Sequence, residues 1–174
     1  MIINNGFEIS NEKLDFATQV IAEMQNELPK YIHDGHGPFL AAIYHDKKLI
    51  AKSANSVVMD NCSNNHAEMN VIRKVQNILK SYDLSSFDLD LYVTAEPCMM
   101  CLGAIMWSGV KSVFYGVPSD SVEKITGFDE GFKPKWFQEF NKRGIAVYGN
   151  IKPDLGENVL AEYVKSGEIY KPHR

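Results

Sequence analysis

Residues Leu89 to Cys101 read Leu-Asp-Leu-Tyr-Val-Thr-Ala-Glu-Pro-Cys-Met-Met-Cys, and that order decides the fold. Leu89 to Thr94 is short, apolar and rich in β-formers, so it reads as a strand. It runs through Ala95 and Glu96 into Pro97, a residue suited to the first position of a helix. Cys98 and Cys101 then share a face of that helix's first turn, and Gly109 closes it. Helix N-termini stabilise thiolates, so this strand-to-helix unit offers two metal-binding sulfurs at its corner.

A second corner lies roughly thirty residues upstream, a spacing at which a separated histidine can still complete a metal site. The polar lead-in Asn61-Cys62-Ser63-Asn64-Asn65 runs into His66-Ala67-Glu68, after which Val71, Ile72, Val75, Ile78 and Leu79 share one helical face. His66 and Glu68 therefore fall in the first turn of a core-packed helix, where both side chains can lean beyond its tip. One imidazole and two thiolates are the donors of a catalytic zinc with an open fourth position for water. Zinc lowers the pKa of such a water towards about 7, and Glu68 is close enough to move its proton.

Plainer readings use the same residues. Glu68 closes a capping box with Asn65, or the C-x-x-C pair is a redox couple. Alternatively, Cys62 joins His66, Cys98 and Cys101 in a four-ligand structural site, making the chain a non-catalytic zinc-stabilised binding module. A structural metal has no use for a proton-moving carboxylate, and Glu68 speaks against that last reading.

Outward from these corners, Ser10 caps a first helix on which Leu14, Ala17, Val20, Ile21, Met24 and Leu28 recur until Pro29 stops the pattern. Tyr31 to Pro38 is a loop carrying His33 and His36, histidines more typical of a solvated loop than of substrate contact. Phe39 to Tyr44 and Leu49 to Ala54 form a hairpin across His45-Asp46-Lys47-Lys48. Asn55, at the end of its second strand, either starts a turn or offers the donor and acceptor that read the edge of a base. Val113 to Gly116 and Gly144 to Gly149 are further strands, parallel because a partly helical crossover including Lys135 to Arg143 joins them. Gly156 to Gly167 is a last helix. The predicted fold is α/β, a three-layer α/β/α sandwich around a mixed five-stranded sheet.

The 174 residues fit one domain, residues 1–174, with 168–174 as a tail. A net charge of −4 and a pI near 5.7 argue against nucleic acid and for a small molecule. Neither a basic-then-apolar leader nor a membrane-length apolar run is visible, and three cysteines make no disulfide framework, so a cytoplasmic location is expected.

Through His66-Ala67-Glu68, Pro97-Cys98-Met99-Met100-Cys101 and the helices around them, most of the chain resembles the cytidine and deoxycytidylate deaminase superfamily. Gly37-Pro38-Phe39, Leu102-Gly103-Ala104-Ile105-Met106-Trp107 and Gly127-Phe128-Asp129-Glu130 are similar to its bacterial guanine deaminase branch. The resemblance implies Zn2+ on His66, Cys98 and Cys101, with Glu68 as proton shuttle. It implies that Asn55 and the Ala67 backbone contact the base, and that Phe39 and Trp107 shape an apolar pocket. Glu130, with Asp129 as the fallback, would assist departure of the amine. A homodimer is implied as well, with Tyr170 and the tail over an active site. The reaction implied is hydrolysis of guanine to xanthine and ammonia. Guanosine, aminotriazines such as ammeline, tRNA adenosine and deoxycytidylate remain alternatives. The acidic pI opposes tRNA, and the lack of clustered basic residues near the site opposes deoxycytidylate. Leu40 stands where such enzymes often have glycine, which implies a different pocket floor.

Overall fold

A computed structural model describes residues 1–167. In chain order it contains β1 (Ile3–Asn4), α1 (Asn11–His33), β2 (Leu40–His45), β3 (Lys48–Ala54) and α2 (Ala67–Leu79). A 3-10 turn (Ser85–Phe87) leads to β4 (Leu89–Ala95) and α3 (Met99–Ser108). Then follow β5 (Ser112–Val117), α4 (Ser119–Thr126), α5 (Trp136–Lys142), β6 (Ala146–Gly149) and α6 (Pro153–Lys165). The strands form one mixed sheet in the order β1-β6-β5-β4-β2-β3. β4, β5 and β6 are parallel, while β2 runs antiparallel to both β3 and β4. The expected hairpin and parallel pair are both present.

The sheet has six strands where five are expected. The extra strand, β1, is two residues long and pairs antiparallel with β6 through Ile3↔Gly149 and Asn4↔Tyr148. Two residues carry no alternation to read. Asn5 helps to seat it, donating from Nδ2 to the Ile145 carbonyl (2.9 Å) and accepting from the Val147 amide (2.9 Å).

Strand alternation divides the side chains between two layers. Ala41, Ile43, Leu91, Val93, Val113 and Val147 pack against Val71, Ile72 and Val75 of α2, Leu102 and Ile105 of α3, and Phe140 of α5. On the other face Leu40, Ala42, Tyr92, Phe114 and Tyr148 meet Ala17, Val20, Ile21, Met24 and Leu28 of α1. Tyr92, Phe114 and Tyr148 are in register across β4, β5 and β6, and their rings stack at 4.7 and 5.0 Å. All seven residues of β4 are buried, as a central strand covered on both faces requires.

Away from the site, the end of α1 and the start of α6 differ from expectation. α1 continues through Pro29 to His33. Proline forfeits one bond to the carbonyl four residues back. Leu28 in the core, with Tyr31 and Ile32 packed against it from the last turn, outweighs that loss. α6 begins at Pro153, ahead of Gly156. Gly156 is interior to the helix because a Cβ there would lie 2.4 Å from both Gln25 Nε2 and Val117 Cγ2. Its small size serves packing and marks no helix end.

Leu40 is fully buried under α1 and forms no pocket floor. Ile78, placed on the core face of α2 by periodicity, is 52% exposed. Among the described residues no helix is long and apolar enough to cross a membrane.

Candidate active site

The site forms at the carboxyl end of parallel strand β4, where helix N-termini and strand-to-helix turns gather in open α/β sheets. Both helices start later than expected, by one position at His66 and by two at Cys98. His66 is the N-cap of α2 (φ −65°, ψ 158°) and Glu68 lies in its first turn, so Asn65 is not the cap that a capping box would need. Cys98 is the N-cap of α3 (φ −69°, ψ 169°) and Pro97 precedes it outside the helix. The shift matters because extended backbone at a cap turns the side chain away from the helix. Neither cap residue uses its side chain on the helix's own amides, which leaves ring and sulfur aimed at one another.

His66 Nδ1 lies 3.6 Å from Cys98 Sγ and 3.6 Å from Cys101 Sγ, and the two sulfurs are 3.7 Å apart. Zinc bond lengths of about 2.3 Å to sulfur and 2.0–2.1 Å to nitrogen, at tetrahedral angles, separate donors by about 3.5–3.8 Å. The donor triangle therefore fits Zn2+, and these three residues form the metal-capable group among the described residues. Cys62 is outside that group, its Sγ donating to Asn64 Oδ1 at 2.9 Å, so it does not close a four-ligand structural cage.

Charge is shared unequally among these side chains. The Cys98 thiol is lowered to about 4 by hydrogen bonding from Cys101, against the cost of burial and with help from His66. Cys101 is raised well above the usual thiol range by that same bond and by burial. Burial pulls the His66 imidazole down, but its bond with Cys98 and the charges of Glu68, Cys98 and Glu130 raise it overall. A metal would take both sulfurs as thiolates, releasing the Cys101 proton.

The cavity beside the triangle is lined on its polar side by Asn55, His66, Glu68, Glu96, Cys98 and Glu130, and on its apolar side by Phe39, Val93, Ala95 and Phe128. Burial pushes the Glu68 carboxyl up to about 7, with the Cys98 charge adding to the rise and His66 opposing it. Burial also raises Glu130 to about 7, although the Ser119 hydroxyl bonded to its Oε2 pulls the other way. Two carboxyl groups poised near neutrality in one cleft suit proton transfer.

Asn55 is buried and tightly held. Its backbone amide donates to the Phe39 carbonyl (3.0 Å), its own carbonyl accepts from the Gly37 amide (3.1 Å), and its Oδ1 accepts from the Val57 amide (3.2 Å). A Cβ on Gly37 would lie 2.7 Å from that Oδ1, which explains the glycine before Pro38. His36 does not line the cavity; its Nδ1 sits 3.0 Å from the Asn55 carbonyl, bracing the same turn. Ala67 is fully buried as the first residue of α2, where an amide has no partner within the helix.

The remaining expected residues separate. Phe39 is at the cavity, with its ring centroid 6.1 Å from that of Phe128. Trp107 is not: it is 82% exposed, because Leu102 and Ile105 face the core and a residue two beyond Ile105 points about 160° away around the helix. Glu130 faces inward. Asp129 is exposed and accepts from the Gly131 amide at 2.8 Å. Tyr170 and the tail 168–174 lie outside the described residues. Sequence reasoning misses Phe128, Ser119 and Glu96 as individual site residues. A carboxylate immediately before Pro97-Cys98 is the available signal for Glu96, and an aromatic inside Gly127-Phe128-Asp129-Glu130 for Phe128.

Comparison with known proteins agrees with this geometry. Residues 11–117 match the family described as the cytidine and deoxycytidylate deaminase zinc-binding region. The guanine deaminase of Bacillus subtilis is 44% identical over 97 residues, 55% of this chain and 60% of that protein. A tRNA-specific adenosine deaminase of Buchnera aphidicola is 30% identical over 133 residues, 76% of this chain and 83% of that protein. The solved structure of NE0047 in complex with 2,6-diaminopurine superposes with a TM-score of 0.82 at 36% identity, covering 89% of this chain and 85% of that one.

Proposed function

Because this chain belongs to the cytidine and deoxycytidylate deaminase family through its zinc-binding region, we propose that it is a zinc-dependent aminohydrolase that converts guanine and water to xanthine and ammonia. The observation that carries the reading is the meeting of buried Glu68 with the His66, Cys98 and Cys101 triangle in one cleft, faced by a second raised carboxyl on Glu130. Zinc held by those three side chains supplies Lewis acidity that makes water nucleophilic near neutral pH.

The chain's own residues do the rest. Glu68 accepts a proton from water and delivers it to a ring nitrogen, so that the water oxygen ends on C2, the carbon that loses its amino group. Glu130 supports protonation of the departing amine as ammonia. Asn55 and the Ala67 backbone read the polar edge of the base, while Phe39 and Phe128 hold its faces and exclude bulk water. Similarity to a guanine deaminase, and to a structure holding 2,6-diaminopurine, supports a purine base as substrate. The net charge of −4 weighs against tRNA, although a tRNA-specific relative aligns over most of the chain.

The test is ammonia release by the zinc-loaded protein from guanine, guanosine, ammeline, deoxycytidylate and an adenosine-bearing tRNA anticodon stem, side by side. Release from guanine is expected. Preference for guanosine or ammeline keeps the chemistry and moves the substrate, whereas release only from the RNA overturns the small-molecule reading. A homodimer completes the proposal, and sedimentation as a monomer at assay concentration would remove it.

A further inference from the structure

Glu96 is half-buried between the end of β4 and Pro97, two residues before Cys98. Its two carboxylate oxygens are both committed. Oε1 accepts the indole N–H of Trp136 at 3.1 Å, and Oε2 accepts the backbone N–H of Ser119 at 3.0 Å. Its own amide donates to the Val117 carbonyl at 2.8 Å. One side chain thus joins the first residue of α4 to the first residue of α5, the two elements that flank the segment carrying Glu130.

From Ser119 the connection continues inward. The Ser119 hydroxyl donates to Glu130 Oε2, and the Glu130 amide donates to Glu123 Oε1 at 3.3 Å. Between Gly127 and Lys135 the backbone has no regular structure to hold it, so the carboxyl of Glu130 depends on these polar bonds. Glu96 meanwhile belongs to the same turn as the metal ligand Cys98. A carboxylate here receives two N–H donors with charge-assisted strength, and neither an amide nor an apolar side chain can take both.

We propose that Glu96 is a positioning residue for proton transfer: through Ser119 and Trp136 it fixes the Glu130 carboxyl relative to the metal triangle. This inference rests on the reading of Glu130 as a proton-transfer group. It predicts a particular pattern of loss. Glu96→Gln presents an amide donor to one of the two N–H groups, letting the α4 and α5 ends part while Cys98 keeps its place. Ser119→Ala cuts the link to Glu130 alone.

The experiment is a double-mutant cycle on the zinc-loaded full chain, using the base identified by the substrate survey. E96Q, S119A, E130Q and the E96Q/E130Q pair are compared for kcat, KM and bound zinc, with hydrogen–deuterium exchange over residues 127–134. Expected for E96Q is a fall in kcat of about tenfold to a hundredfold, the scale of one charged hydrogen bond, with KM and zinc content held. Exchange over 127–134 should rise, S119A should follow in the same direction, and E96Q should cost nothing further once E130Q is present. Losses that multiply in the pair, a wild-type kcat in E96Q, or lost zinc accounting for its defect would overturn the proposal. A wild-type kcat in E130Q alone would instead overturn the assignment of Glu130, and the proposal with it.

Discussion

The metal corner and the Glu130 segment face each other across one cleft, yet they are held in place by different means. His66, Cys98 and Cys101 stand at the tips of α2 and α3, whose Val71, Val75, Leu102 and Ile105 are anchored in the core. Apolar burial of about 1.5–3 kcal/mol per side chain makes those tips rigid mounts. Glu130 lies on irregular chain between α4 and α5, with Phe128 as a buried anchor and Phe132 70% exposed. Its placement relies on the bond it accepts from Ser119, the bond its amide donates to Glu123, and the outer pairs of Lys133 with Asp120 and Glu123. A core-mounted triangle suits a metal that must not move. A segment closed by polar bonds suits a wall that, on the proposed reading, admits and releases a base.

The largest effect should come from the carboxyl on the rigid side. Glu68→Gln preserves shape and removes the proton acceptor, so kcat should fall by about 10²–10⁴, the usual worth of a positioned acid–base group. Zinc measured by atomic emission should stay at the wild-type level. Equal activity in this variant would sink the mechanism, and lost zinc would show that Glu68 supports the metal corner.

Across the cleft, Glu130→Gln should lower kcat by about a hundredfold, within the range for a general acid. Asp129→Asn should change it by less than about threefold, because that side chain is exposed and occupied by the Gly131 amide. The reverse ranking would mean that the segment turns over when substrate binds.

The contrast in support can be broken directly by thermal unfolding. Val75→Ala removes two buried carbons beneath α2 and should cost about 2 kcal/mol, or about 4–8 °C in Tm. Phe132→Ser, on the opposing segment, should change Tm by no more than about 1–2 °C, as exposed positions do. Comparable losses at both sites would show that the Glu130 segment is as firmly packed as the metal corner.

The same division governs how legible each region is in the amino-acid order. The metal corner is written locally: strand, Pro97, Cys98, Cys101, and a periodic helix after His66. Donor chemistry and spacing, together with the resemblance of the motif, assemble the three donors, with the cap missed by one position at His66 and by two at Cys98. The sheet follows from alternation except for β1, whose two residues show no period. Trp107, given to the pocket by resemblance, is exposed in the single chain, and Met99 to Ser108 is apolar nearly all round, so no polar face in the sequence says which of its residues point inward. The Glu130 side is legible only through resemblance. Ser119 and Trp136 reach Glu96 from 23 and 40 residues away, and no local pattern announces such a meeting.

A further small effect concerns pH, and its sign separates Glu130 from its surroundings. Burial, its largest cause, raises the Glu130 carboxyl to about 7 in the folded chain, from an ordinary value of 4.5. Between those values the folded protein retains a proton that the unfolded chain has released. Stability from this group is therefore complete below about 4.5 and is lost as pH rises through about 7. Glu130→Gln cannot titrate. Its Tm, measured on the metal-free protein between pH 5 and pH 8, should decline less steeply than that of the wild type. The difference reports Glu130 together with its charge coupling to His66, Glu68 and Cys98. Since Glu130 is only half-buried, solvent screening should hold that difference to about 1–3 °C. A wild-type profile parallel to that of the variant would show that the Ser119 hydroxyl offsets burial, leaving Glu130 ionised throughout and unable to serve as the acid of the cleft.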